Sequence, residues 1–380
     1  MPEQHALLSA SSAHRWLKCT KAPRLEETLP ETRSEYADEG RLAHAIAELR
    51  LRKQYTDPMG QKAFNEKLDE LKQNPLYSNE MMSHVDTYFD YIANLVYSFP
   101  SQPYVAIEKR LDYSEYVPEG FGTGDCIIIS GTDLYVIDFK YGKGIPVSTE
   151  NNPQMKLYAL GAYTESSFLY NIEKVTMIII QPRIENISES TISIDELLAW
   201  GESIRPIALQ AYNGEGEFVI GEHCRFCRAK ALCRARAEFN MSIDTSRSPH
   251  LLTDEEAGQL LERAKDLKAW AADLEDYVFG AIMSGKDIPG WKVVKGRSVR
   301  QFSNVDEAFD TLKQNGIDEA MLYERKPITL TNVEKLLGKT KFNELLSNFV
   351  VKDGKPTLVP ASDKREPLKL RSATDDFESV

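Results

Sequence analysis

The 380-residue sequence lacks any apolar run approaching the roughly 18 residues that a transmembrane helix needs. Residues 1–10 also lack the pattern of a secretory signal peptide. These absences predict a cytoplasmic protein that makes no contact with a membrane. Cysteine is scarce, with five in the chain, so we expect metal ligands or reduced thiols rather than a disulfide framework.

Positive charge is also in short supply, because 46 lysines and arginines stand against 58 acidic residues and leave a net charge of −12. This balance argues against a protein that holds DNA by bulk positive charge, so any contact with nucleic acid must come from a local basic patch. One such patch contains Arg225, Arg228, Lys230, Arg234 and Arg236. The content of 42% hydrophobic and 27% charged residues is otherwise that of an ordinary globular protein.

The length is sufficient for two domains, and the character of the sequence changes near residue 245. We predict a first domain over residues 1–243 and a mainly helical C-terminal region over residues 250–380. The polar segment 244–249 is expected to be the linker between them.

Within the C-terminal region, a capping box that starts at Thr253 predicts a long helix over residues 253–283. Two further helical patches lie near residues 305–314 and 331–346. Residues 290–302 interleave basic and aromatic side chains. That pattern fits binding of single-stranded DNA, or equally a solvated strand with its aromatic residues in a core.

The most informative stretch predicts a β-hairpin from two β-rich runs, residues 125–129 and 134–139, joined by a short polar turn. Asp125 lies on the first strand, and Asp138 and Lys140 lie two residues apart on the second, which puts them on one face. Two carboxylates and an ammonium on one face are typical of a site for a hard divalent cation with a lysine beside an attacking water. The hairpin therefore predicts the metal centre of a phosphodiesterase.

Two segments before the hairpin offer further ligands. Residues 40–53 predict a largely buried helix in which His44 and Glu48 share a face. A histidine on such a helix is more often a core group, but the downstream carboxylates favour a metal ligand. Residues 104–111 predict a strand that carries Glu108, whose orientation towards solvent or towards the site stays open. The helical segments of residues 54–100 are assigned no chemistry.

After the hairpin, Asn152 is expected to cap a helix in which Gln154 and Tyr158 share one face. An amide and a phenol at these positions can contact a phosphate or orient a lysine. A buried strand over residues 175–180 follows, and Arg183 at its end is placed to reach a phosphate. The order hairpin, helix, strand predicts an α/β fold with a mixed sheet.

The cysteines form a pattern of their own, because Cys224, Cys227 and Cys233 cluster and leave a four-ligand site one residue short. Cys19 is the expected fourth member. Cys126 is excluded because it follows Asp125 on the hairpin and points to the opposite face. Four cysteines can hold zinc or an iron–sulfur cluster.

Taken together, Gly40-xxx-His44, GxxD ending at Asp125, DxK from Asp138 to Lys140, and QxxxY from Gln154 to Tyr158 resemble the PD-(D/E)XK nuclease superfamily of the RecB type. The four cysteines are similar to the iron–sulfur staple of AddB-like and CRISPR-adaptation nucleases. One departure is Gly124, which stands where the superfamily's name has a proline. The whole chain, including the 360–365 segment, looks like a family of phage and prophage proteins that carry this nuclease core.

This resemblance implies a restriction-endonuclease-like core with a central mixed sheet flanked by helices. It implies that His44, Asp125, Asp138 and the backbone carbonyl of Phe139 bind Mg²⁺ or Mn²⁺, and that Lys140 positions the attacking water. Gln154 and Tyr158 would orient the DNA or the lysine, with Glu108 and Glu48 as helpers. The cysteines at 19, 224, 227 and 233 would hold a [4Fe-4S] cluster, with structural Zn²⁺ as the alternative.

The function implied is a metal-dependent deoxyribonuclease, an exonuclease or end-processing enzyme of phage-type recombination or replication in the bacterial host cytoplasm. DNA is the expected partner, together with a single-strand-annealing or single-stranded-DNA-binding protein, and an oligomer is compatible with the sequence. One alternative is a binding protein that holds DNA ends or a recombination partner without cutting. Another is a regulatory module stapled by zinc.

Overall fold

The computed structural model describes residues 6–30, 35–242, 253–294, 304–315, 317–323 and 330–346. The chain divides into two compact units, Met1–Val293 and Val294–Val380. The linker predicted at residues 244–249 and the 360–365 segment lie outside the described residues, as does most of the basic and aromatic segment beyond residue 294. The predicted boundary between residues 243 and 250 therefore stays a prediction.

The first unit is built around one sheet of five strands in the order β1-β2-β3-β4-β5. Strands β3 and β4 are parallel, and the other three pairs are antiparallel. This mixed sheet with flanking helices confirms the predicted α/β class. The strands are β1 (Tyr104–Asp112), β2 (Phe121–Ser130), β3 (Asp133–Phe139), β4 (Lys174–Gln181) and β5 (Asn186–Ser193).

Nine α-helices belong to the described part of this unit. They are α1 (Ala13–Trp16), α2 (Ala22–Glu27), α3 (Glu35–Tyr55), α4 (Gln61–Lys72), α5 (Asn79–Ser98), α6 (Pro153–Ser166), α7 (Ile194–Asn213), α8 (Arg234–Met241) and α9 (Asp254–Met283). Helix α9 begins where the sequence predicts, since Thr253 and Glu256 form the expected capping box. Among the described residues, no helix is both long and apolar enough to cross a bilayer.

The described part of the second unit contains helices α10 (Val305–Gln314), α11 (Leu330–Leu337) and α12 (Lys339–Leu346). Helix α10 coincides with the predicted patch at residues 305–314. The patch predicted at residues 331–346 is divided into two helices at Gly338, whose φ of +75° is a left-handed conformation that ends a helix.

Apolar side chains cover both faces of the sheet, because alternate residues of each strand point to opposite sides. Ile127 and Ile129 of β2 pack into one layer with α1, α6 and α7. Cys126 and Ile128 pack into the other layer with α3, α4 and α5. The central strands β2, β3 and β4 are therefore buried over most of their length.

Candidate metal centre and cysteine cavity

Three side chains from three separate elements converge at one end of the sheet. His44 of α3 places its Nδ1 3.4 Å from Asp125 Oδ1 of β2 and 3.9 Å from Glu108 Oε1 of β1. One ligand atom from each of the three residues lies within 4.8 Å of the other two, a grouping that could hold a metal ion. An imidazole and carboxylates so arranged suit a divalent cation.

Glu108 reaches this group because the backbone of β1 is distorted at that residue. Its φ is +47°, a left-handed conformation that costs a residue with a side chain about 1–3 kcal/mol. The distortion interrupts the alternation of the strand: Ile107 packs in the layer of α3 and α5, and Leu111 packs in the opposite layer. The orientation that the sequence left open is thus towards His44.

Asp138 lies on β3 and Lys140 comes directly after that strand. Gln154 holds the two side chains together. The Asp138 side chain is buried, and its Oδ1 accepts a hydrogen bond from Gln154 Nε2 at 3.1 Å. Lys140 Nζ donates to Gln154 Oε1 at 3.2 Å, and Asn152 fixes the glutamine by capping the first turn of α6. Lys140 Nζ also lies 3.1 Å from Asp138 Oδ2, but without hydrogen-bond geometry, so that buried oxygen has no hydrogen-bond partner.

The second oxygen of Asp125 is fixed by the backbone of β3. Asp125 Oδ2 accepts a hydrogen bond from the Phe139 amide at 2.7 Å, just beyond Cys126↔Ile137, the last backbone pair of this hairpin. The Phe139 ring is fully buried and packs against the His44 ring, with 5.2 Å between their centroids. The carboxylate therefore keeps Oδ1 free to face His44 and a cation.

Tyr158 of α6 packs against β2 beside the site. Its ring lies so close to β2 that a Cβ at Gly122 would come 2.7 Å from Tyr158 Cε1. Burial, with the nearby Asp138 and Asp125 carboxylates, raises the pKa of Tyr158 far above its ordinary value. The phenol thus stays protonated and can act as a hydrogen-bond donor.

Several carboxylates lie close together in this buried site, and their negative charges shift the pKa values of its residues. Burial raises the pKa of Asp138, and the neighbouring Asp125 adds to the rise although Lys140 opposes it. Burial alone would lower the pKa of His44, but Asp125 and Glu108 outweigh it and raise that pKa well above its ordinary value. A divalent cation could replace the His44 proton and neutralise the carboxylates.

Two other residues singled out in the sequence are engaged elsewhere. Arg183 is largely buried, lies 3.0 Å from Glu39 Oε2 and stacks on the Tyr141 ring at 4.5 Å. It would have to leave this pair to bind a phosphate. Glu48 lies 2.6 Å from Arg52 Nε at the margin of the metal group.

The cysteines at 19, 224, 227 and 233 line one cavity, whereas Cys126 is fully buried in the layer of α3 and α5. Arg15, Lys230 and Arg236 also line the cavity, and each is ion-paired with a carboxylate. Burial raises the pKa of the Cys19, Cys224 and Cys227 thiols, that of Cys227 to about 12, so these three are protonated unless a metal stabilises their thiolates. The segment holding Cys19 is tied to this region by a hydrogen bond from the Val219 amide to Cys19 Sγ at 3.4 Å.

The spacing of the four sulfurs bears on what they could hold. In the part of the chain that the structure describes, no three of them lie within 4.8 Å of one another. Thiolates around a single tetrahedral zinc ion stand about 3.8 Å apart, given Zn–S bonds of about 2.3 Å. The four sulfurs do not show the close grouping of a single-ion site.

Comparison with known proteins places the whole chain in one family. The family model described as "Protein of unknown function (DUF2800)" matches residues 5–366. The chain belongs to this family. A solved structure titled "Crystal structure of SSO0001" is 17% identical and covers 57% of this chain and 95% of its own, with a TM-score of 0.25 that is too low to show a shared fold.

The basic patch that the sequence predicted is only partly available in this DUF2800 chain. Arg236 is buried, and Lys230 Nζ lies 2.6 Å from Asp273 of α9. Arg225, Arg228 and Arg234 remain exposed. Nucleic-acid contacts at this surface would therefore come from those three arginines.

One residue of the centre was missed in the sequence. Tyr88 of α5 lies in the segment 54–100, to which no chemistry was assigned, yet it lines a small cavity with His44, Glu108 and Asp125. An apolar helical pattern gave no signal for it, because a tyrosine in such a pattern is read as core.

Proposed function

We propose that this protein is a Mg²⁺- or Mn²⁺-dependent deoxyribonuclease with a restriction-endonuclease-like core of the PD-(D/E)XK type. The observation that carries the proposal is the meeting of His44, Glu108 and Asp125 beside an Asp138–Lys140 pair held by one glutamine. These side chains come from five elements, α3, β1, β2, β3 with the residue that follows it, and α6. A cation ligand set next to a partly buried ammonium is what hydrolysis of a phosphodiester requires.

The residues fit a divalent cation on a further observation. Asp138 Oδ2 is buried with the Lys140 ammonium 3.1 Å away to balance its charge, and Asp125 crowds it with a second carboxylate whose charge a cation would offset. We assign His44, Asp125 and Asp138 as the ligands, with the Phe139 carbonyl as a fourth and Glu108 beside them. When bound, the cation would supply Lewis-acid activation of the phosphate and of a water.

The chain's own groups would do the remaining work. Lys140, with a pKa that the Asp138 and Asp125 carboxylates raise against the effect of burial, stays charged and can orient the attacking water and stabilise charge on the phosphate. Gln154 fixes both Lys140 and Asp138 through its two amide atoms. Tyr158 would donate a hydrogen bond to the DNA or accept one from the Lys140 ammonium.

We extend the proposal to the four cysteines, which would hold a [4Fe-4S] cluster with a structural role, with structural Zn²⁺ as the alternative. Their common cavity supports a shared group. By the same resemblance, the substrate would be DNA ends in phage-type recombination or replication, beside a single-strand-annealing or single-stranded-DNA-binding protein.

Digestion of end-labelled DNA with Mn²⁺ or Mg²⁺ tests the nuclease. We expect cutting by the purified protein and a loss of at least about a hundredfold in Asp138→Asn and in Lys140→Ala, because each removes a charge at the reacting phosphate. Asp133→Asn, at the other end of the same strand, is the matched control and should cut normally. Full activity in either site variant would rule out this centre, and wild-type protein that shifts DNA but never cuts it would favour a binding role.

A further inference from the structure

Tyr88 of α5 is a fully buried tyrosine whose hydroxyl has no hydrogen-bond partner. Its side chain is 1% exposed. The ring stacks on Phe139 with 4.5 Å between the centroids and an angle of 22° between the planes. Phe139 in turn contacts the His44 ring, so Tyr88 lies directly behind the metal centre.

The Tyr88 side chain borders a cavity at the metal centre. Tyr88 lines a small cavity together with His44, Glu48, Glu108 and Asp125, and that cavity has no room for a water molecule. An internal water therefore does not satisfy the hydroxyl. After burial and Cys126, the carboxylates of Asp125, Asp138 and Glu108 also raise the pKa of Tyr88, so its hydroxyl stays protonated and can donate.

A purely structural role does not account for this hydroxyl. A buried donor without an acceptor destabilises the protein more than a made hydrogen bond stabilises it, and phenylalanine would keep the ring stack without that cost. A tyrosine at this position therefore indicates that its hydroxyl gains an acceptor when the site binds its ligand.

Among the three carboxylates that line this cavity with Tyr88, Glu108 is the one with capacity to accept. Asp125 Oδ1 faces His44 at 3.4 Å, and Asp125 Oδ2 accepts from the Phe139 amide. Glu48 is paired with Arg52. The contact of Glu108 to His44 measures 3.9 Å, which is beyond hydrogen-bond distance.

We propose that Tyr88 is a positioning residue of the metal centre, whose hydroxyl donates a hydrogen bond to the Glu108 carboxylate when a divalent cation draws Glu108 towards His44 and Asp125. Such outer partners hold ligating carboxylates in place, and their loss typically weakens metal binding 10- to 100-fold, on the order of the effect expected here. This role rests on the proposed metal centre but not on DNA cleavage.

The test uses the full chain, with Mn²⁺ alone as the probe. Calorimetric titration should show that Tyr88→Phe raises the Kd for Mn²⁺ by about tenfold or more. Melting of the metal-free protein in a chelator should show a Tm that is unchanged or higher, because the variant loses only an unpartnered hydroxyl. The opposite signs of the two effects separate positioning from ordinary packing.

Tyr113 provides the matched control, because it is fully buried and its hydroxyl donates to the Phe121 carbonyl at 2.8 Å. Tyr113→Phe should lower the Tm and leave the Kd for Mn²⁺ unchanged. Glu108→Ala should weaken Mn²⁺ binding, and adding Tyr88→Phe to it should weaken binding little further, since the hydroxyl then has no Glu108 carboxylate to hold.

Three outcomes would overturn the inference. If Tyr88→Phe lowers the Tm as Tyr113→Phe does and leaves the Kd unchanged, the hydroxyl is structural. If Tyr88→Phe and Glu108→Ala have additive effects on the Kd, the hydroxyl does not act through Glu108. If the wild-type protein binds no Mn²⁺, both this role and the metal centre of the proposed function are wrong, whereas Mn²⁺ binding without DNA cutting would leave this role standing.

Discussion

At the scale of single residues, two opposing effects act on the pKa of His44. Its helix buries it, which alone would favour the neutral ring, but Asp125 and Glu108 raise its pKa well above the ordinary value. In the metal-free protein this pairing stabilises the fold below the unfolded-state pKa of His44. The contribution is lost as the pH rises through the raised folded-state pKa.

Metal binding should show the opposite dependence on pH. A cation needs the neutral imidazole, so we expect the affinity for Mn²⁺ to rise by up to tenfold per pH unit until the raised pKa of His44 is passed, and then to level off. About one proton should be released per cation bound, which calorimetry in two buffers of different ionisation enthalpy measures. In His44→Asn the affinity should be lower and its rise with pH smaller. An affinity that is flat between about pH 6 and pH 8 would contradict His44 as a ligand.

At the scale of elements, α9 is attached to the rest of the first unit through a buried arginine. Arg236 of α8 is 2% exposed and lies 2.9 Å from Asp266 and 2.8 Å from Asp273, both on α9. Trp270 of the same helix donates its indole N–H to the Ala231 carbonyl at 3.1 Å. Arg236 also lines the cysteine cavity, so one side chain joins α9 to that cavity.

We therefore expect Arg236→Gln to release α9. Removing one partner of a buried ion pair leaves carboxylates without compensation and typically costs about 3–5 kcal/mol. Amide hydrogen exchange across Asp254–Met283 should become faster, and the free energy of unfolding of the first unit should fall. Arg263→Gln, which removes exposed hydrogen bonds to Phe239 and Ser242, is the control and should change exchange little. Unchanged exchange in the Arg236 variant would show that α9 is held by other contacts.

At the scale of the whole molecule, the cysteine cavity brings together the two ends of the sheet-forming part of the chain. Cys19 and Val219 are hydrogen-bonded although 200 residues separate them. A covalent or metal link at this point would close a long loop and restrict the unfolded chain. The stabilisation is comparable to that of a disulfide across a long loop, about 5 kcal/mol.

The group that the cysteines bind can therefore be tested without measuring nuclease activity. Anaerobically purified protein should absorb in the visible range if it holds an iron–sulfur cluster, and Cys19→Ser should lose that absorption and melt at a lower temperature. Cys126→Ala, which also removes a buried thiol, should keep the absorption. Stoichiometric zinc with no visible absorption would replace the cluster by the zinc alternative. The absence of any bound metal would remove both.

Local sequence patterns determined much of what is described above. The two-residue period of a strand puts Asp138 and Lys140 on one face, and the four-residue period of a helix does the same for Gln154 and Tyr158. The cap at Asn152 and the capping box at Thr253 mark where α6 and α9 begin. Such features follow from neighbours in the chain, which is why the α/β class could be predicted.

Only the tertiary structure decided the features that depend on neighbours distant in sequence. Glu108 faces His44 through one left-handed residue, which no periodicity predicts. Gly161 of α6 lies so close to β1 that a Cβ there would come 2.9 Å from Leu111 Cβ, and Tyr88 lies behind a site built from other elements. The sequence by itself thus determined which side chains share a face. Packing decided which faces meet, because close contact between layers is a property of the assembled core.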